Sequence, residues 1–233
     1  MKLTKKRMGL LALAFMMFIS IIIPNTAFAS GQTSNLSIID SIREEYGDNV
    51  ADSVLKYVSY DEILKFQEIY DSRDSISTYG ISESIGNILD ELDTLTDTEL
   101  FLIGMYPGQA LTVRSCAKEA DEYTNDYYPR WRDGDEGNAY RHAMWNAIMT
   151  RNFASASKAK MWADAHEDFT DAELRAAGSW NGFTAFEHTE MDLHNNAKGR
   201  ECARWYEFWV STDTLSDKVM EKIDNREMMI LVR

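Results

Sequence analysis

Residues 184–200 read TAFEHTEMDLHNNAKGR. Thr184 and Glu187 stand three apart, the spacing of a capping box, so a helix should open at Ala185. Along it His188, Asp192, Asn195, Asn196 and Gly199 recur at spacings of four and three, which puts them on one side. His194 falls nearer Met191 and Lys198. Asp and Asn are weak formers in a helix interior. A stripe of them therefore calls for packing or chemistry that uses it.

The same helical period extends in both directions. Leu36, Ile39, Ile42 and Tyr46 repeat at helical spacing, as do Val50, Val54 and Val58. Ser59 with Glu62, Thr96 with Glu99 and Thr170 with Glu173 form further capping boxes. Residues 72–80 read as a linker, with another helix near 82–93. Pro107 stops or kinks the apolar segment LFLIGMYP. Strand-like alternation is scarce. The expected class is all-α: a multi-helix globular domain with an N-terminal helical lead-in. Residues 30–100 form the lead-in and 101–233 the domain.

Residues 1–29 read as a secretory signal: Lys2, Lys5, Lys6 and Arg7, an apolar run from Met8 to Ile23, then Ala27-Phe28-Ala29 as an A-x-A site. Cleavage after Ala29 would leave a secreted, extracellular chain of 204 residues (233 less 29) without a transmembrane anchor. Its 20 Lys+Arg, the 24 of the whole sequence less those four, stand against 38 Asp+Glu, a net charge of −18. That field repels polyanions, so nucleic acid is excluded as a partner, and a cation or a cationic or envelope-associated partner fits better. Two readings of Cys116 and Cys202 stand: a disulfide, permitted in an exported chain, or two buried thiols.

Chemistry-bearing residues concentrate late. All four histidines lie between 138 and 209. Asn138 is a candidate cap for AYRHAMWNAIMT, in which His142 and Asn146 share a face, and Ala139, Ala143 and Ala147 would let another helix approach closely. SKAKMWADAHEDF ends in Asp164, His166 and Glu167; on a continuing helix Glu167 would point about 100° away from His166. Trp145, Trp162, Trp205 and Trp209, with Phe208, read as core. DGDEGN (133–138) lacks the twelve-residue pattern of a calcium loop and reads as a turn with a cap. HEDFT (166–170) is not HExxH, and no G-x-S-x-G occurs.

Water is then the natural nucleophile. The candidate catalytic groups are His142, His166, Glu167, Asp192 and His194, with Arg141, Asn146, Asp164, Asn195, Asn196 and Arg200 binding or orienting a substrate. His142, His166 and Asp192 would suit a divalent metal ion. NAYRHAMWNAIMT, WADAHE and MDLHNNAKGR, in that order and preceded by ELFLIGMYPGQAL, resemble an uncharacterised bacterial domain family found in secreted proteins and at the ends of larger exported ones. The resemblance covers roughly residues 98–202 and places these residues, except His188, on motif positions. It implies no established activity. A hydrolase acting on lipid or another envelope polymer is the first expectation. A non-enzymatic module with a buried polar network, or a relative of exported antibacterial effectors, is the alternative.

Overall fold

The computed structural model describes residues 37–72 and 95–233. Residues 1–29, Leu36, residues 73–80 of the linker and the helix near 82–93 fall outside the described residues. The chain is predominantly helical: ten helices and one two-stranded sheet among the described residues. None of the described helices is long and apolar enough to cross a membrane.

Two compact units divide at Lys118 and Glu119. In the first, α1 (Ser37–Tyr46), α2 (Asp48–Tyr57) and α3 (Tyr60–Ser72) are amphipathic and bury Ile38, Ile42, Val54, Ile63 and Ile69. Gly47, at φ 90°, breaks α1 from α2 in a conformation that other residues rarely adopt. The capping box of Ser59 and Glu62 opens α3 as its spacing predicts, and Glu62 also pairs with Arg114 and Lys118. Thr96 caps α4 (Asp97–Met105) with a full capping box. Pro107 then stands at the first position of α5 (Pro107–Tyr127), where its missing N–H costs nothing.

In the second unit the central element is α6 (Glu136–Phe153), buried on all sides from Gly137 to Thr150. Such a helix has no solvent face to keep polar, so its pattern carries little amphipathic signal. It is packed by α7 (Ala156–His166), α9 (Ala185–Arg200) and α10 (Thr212–Asp224). A Cβ added to Gly199 of α9 would lie 2.1 Å from the carbonyl oxygen of Ala143, so the two main chains touch there. The cap of α6 is Asp135, three residues before the expected Asn138; Asn138 donates its N–H to Asp135 and accepts from the N–H of Gly134. Thr170 and Thr184 cap α8 (Asp171–Ala177) and α9 with the expected boxes.

Three features depart from the sequence reading. Ser179–Trp180 and Phe183–Thr184 form a hairpin around Asn181 and Gly182, both at positive φ (53° and 87°), the turn that an Asn-Gly pair favours. The helix α10 was not expected, although Ser211 caps it and Leu215, Val219 and Ile223 fill one face. Trp205, Phe208 and Trp209 are not core: they are 70%, 64% and 66% exposed. The helical period ends with α9 at Arg200, so spacing beyond that point no longer predicts a common buried face. Cys116 and Cys202 are both buried thiols and are not joined in a disulfide.

Candidate functional site

The site grows from three chain segments of the second unit. The fully buried α6 supplies His142, the C-cap of α7 supplies Glu167, and the polar stripe of α9 supplies Asp192. One ligand-type atom of each lies within 4.8 Å of the other two. Their side chains are 1–2% exposed. The imidazole Nε2 of His142 is 3.3 Å from Asp192 Oδ1, and its Nδ1 is 3.9 Å from Glu167 Oε1. The Nε2 contact is near but off-axis for a hydrogen bond, and neither carboxylate oxygen of Asp192 has a hydrogen-bond partner among the described residues.

Burial sets the protonation of both groups. It drives His142 well below the usual histidine range, and the electrostatic influence of Arg141 and His166 adds to that; the hydrogen bond to Asn196 opposes it. Burial also pushes Asp192 well above the carboxylate range, reinforced by Glu167 and Asp133 and opposed by Arg141. Two carboxylates and a neutral imidazole in a dry enclosure favour a proton or a cation between them.

A polar chain runs behind His142. Its Nδ1 lies 3.2 Å from Asn196 Oδ1. Asn146 Nδ2 donates to the same Asn196 oxygen at 2.7 Å and to the carbonyl of His142 at 3.2 Å. Arg200 Nη1 donates to Asn146 Oδ1 at 2.8 Å. The spacing of four between His142 and Asn146 puts both towards α9, as the sequence implies.

Other candidate residues go elsewhere. The ring of His166 packs edge-on to Trp145, centroids 5.4 Å apart, and the three-residue group has Glu167 where the sequence suggested His166. The reason is local: α7 ends at His166, and Glu167 has left helical geometry (φ −95°, ψ 6°), so the helical phase does not fix its direction. His194 and Asn195 bind the C-terminal segment. His194 Nε2 is 2.8 Å from the carbonyl oxygen of Glu227, and Asn195 exchanges two hydrogen bonds with the main chain of Met229. Asp164 pairs with Lys160 on the surface. Arg141 holds Asp121 at 2.6 Å. His188 is buried, stacked on Trp180 of the hairpin at 4.3 Å.

One group escaped the sequence reading. Asp133, in the turn before α6, is half-buried; burial raises its carboxyl to about 6 against the pull of Arg141, and its charge acts on Asp192. The acidic run DGDEGN carried that signal, but the turn and cap account for it equally well. Gly134, beside it at φ 85°, accepts the main-chain N–H groups of Leu231 and Val232.

Comparison with curated proteins gives no match, and comparison with solved structures gives none. A family model described as "Domain of unknown function (DUF6973)" matches residues 100–227, more than half of the 233; the stretch contains His142, Glu167 and Asp192, and the chain belongs to this family.

Proposed function

We propose that the domain holds a divalent cation between His142, Glu167 and Asp192 and uses ion-bound water to hydrolyse an envelope lipid or cell-wall polymer. The observation that carries this is the convergence of buried, unpaired atoms: His142 Nε2 and both oxygens of Asp192. Buried polar atoms in native proteins are nearly always paired, and a cation would pair all three at once. One imidazole with two carboxylates suits zinc, manganese or iron better than calcium, which prefers all-oxygen shells. Three protein ligands leave a coordination position for water, which the ion would acidify. Neither cysteine is a ready nucleophile: both are buried, and burial pushes Cys202 up to about 11. Export with cleavage after Ala29 would place the enzyme at its substrate; N-terminal sequencing of the exported chain should then begin Ser30-Gly31-Gln32.

The near-complete burial of the three side chains favours a second reading, a closed network without catalysis in which a proton on Asp192 takes the place of the ion. Elemental analysis decides between them. The cation reading expects about one equivalent of a transition metal per chain, and none in Asp192→Asn. No metal, together with the infrared carbonyl band of a protonated Asp192 at neutral pH, overturns it. Metal binding without turnover of phospholipid vesicles or peptidoglycan overturns the hydrolase part alone.

A further inference from the structure

We infer that Arg200 is a positioning residue: through Asn146 and Asn196 it fixes which ring nitrogen of His142 carries the proton, and so points the bare Nε2 at Asp192. The argument uses only what each group can donate or accept. A guanidinium has donors and no acceptor. Arg200 Nη1 lies 2.8 Å from the side-chain amide of Asn146, so the atom it meets must be the oxygen. The other end of that amide is then the NH2 group. It meets the main-chain carbonyl of His142 at 3.2 Å, an acceptor, which is consistent. A flipped Asn146 would set its oxygen against that carbonyl and its NH2 against the guanidinium, two repulsive contacts at once.

The NH2 group of Asn146 also faces the amide of Asn196 at 2.7 Å, so Asn196 must present its oxygen there. The same oxygen lies 3.2 Å from His142 Nδ1. An amide oxygen only accepts, hence Nδ1 bears the hydrogen. A neutral imidazole has one N–H, and the other ring nitrogen of His142, Nε2, meets no hydrogen-bond partner among the described residues. The lone pair is therefore on Nε2, 3.3 Å from Asp192 Oδ1. The opposite tautomer would aim an N–H into the group of three and close that nitrogen to a metal ion or to a proton from Asp192. A residue outside the group thus controls what the group can bind, the role of outer groups that orient histidine ligands. Nothing in the cluster itself would reveal Arg200, because its guanidinium touches none of the three members in the contacts described.

The tautomer stands independently of the cation; only its effect on ion affinity rests on the function proposed above. The test is nitrogen-15 NMR of the histidine rings in the mature chain, stripped of metal with a chelator, at neutral pH. Wild type should show His142 as the Nδ1–H tautomer. Arg200→Leu should move it to a mixture containing the Nε2–H form, and Arg200→Lys, which restores a donor, should move it back. Zn2+ affinity, read by competition with a chromophoric chelator, should fall roughly 10–100-fold in Arg200→Leu and recover in Arg200→Lys. An imidazolium or an Nε2–H tautomer in wild type overturns the inference, and that result needs no variant to fold. An unchanged tautomer in a folded Arg200→Leu overturns the part played by Arg200. Wild type that binds no Zn2+ yet shows the Nδ1–H form supports the relay and removes the cation reading.

Discussion

Gly199→Ala separates helix propensity from packing, because the two predict opposite signs. Alanine is the better helix former by ~1 kcal/mol, so an exposed helical site would be stabilised. At 199 the new Cβ would lie 2.1, 2.6 and 2.7 Å from the oxygen, Cα and carbonyl carbon of Ala143. These are main-chain atoms of a buried helix, and no rotamer change removes them. Reaching even a 3.0 Å contact requires α9 to withdraw from α6 by about 1 Å, and overpacking of this kind costs ~1–3 kcal/mol. The same withdrawal would lengthen the 3.2 Å contact of His142 with Asn196 and the 2.7 Å hydrogen bond from Asn146 beyond useful range. Two lost buried hydrogen bonds add ~1 kcal/mol each. The net is a loss of about 2–4 kcal/mol, or a fall in Tm of roughly 5–15 °C for a domain of this size. Urea unfolding of the protein, followed by far-UV circular dichroism, measures it. Unchanged or raised stability would refute the close approach of α6 and α9 and the geometry that depends on it.

Thr184→Ala removes the capping box of α9 and should cost ~1 kcal/mol in the same urea assay, with little change in secondary structure. Asn195→Ala should release the segment clipped at Met229, seen as faster amide hydrogen exchange at Met229 while the core of α6 keeps its protection. Glu62 gives a pH dependence: burial works to raise its carboxyl, but Arg114, Lys118 and Ser59 outweigh this and hold it near 2 instead of 4.5. Its contribution is therefore present above pH 4.5 and lost as the pH falls towards 2, and Glu62→Gln should flatten the stability profile across that window. Alkylation without reductant should label two thiols in the unfolded chain and neither in the native one, as measured by mass.

What the sequence made legible is what local chemistry decides. Capping boxes at Ser59, Thr96, Thr170 and Thr184 locate four helix starts, because a side-chain oxygen three residues before a glutamate satisfies the same donors wherever it occurs. The pairing of His142 with Asp192 was also within reach, since each sits on a polar stripe of a helix with small residues beside it. Elements that hang on a terminus were not. Glu167 enters the cluster only because α7 ends one residue earlier, which no periodicity announces. Trp205 and Trp209 look like core until the helix before them is seen to stop. The Asn-Gly hairpin and α10 carried readable signals, a two-residue turn and an aliphatic face after Ser211, that helix-centred reading passed over.

His142, Glu167 and Asp192 are spaced by 25 residues and again by 25, on segments that meet only in the finished fold. The unfolded chain cannot gather them without closing two long loops. An ion at this position would thus discriminate between folded and unfolded molecules with nearly its whole binding free energy. Durability would become a property of the medium as much as of the chain: at a free concentration 100 times the Kd, the fold gains ~2.7 kcal/mol, about what Gly199→Ala removes. Melting temperature plotted against free metal would then act as a gauge of the surroundings, rising with each decade of ion and levelling off only where the site is emptied.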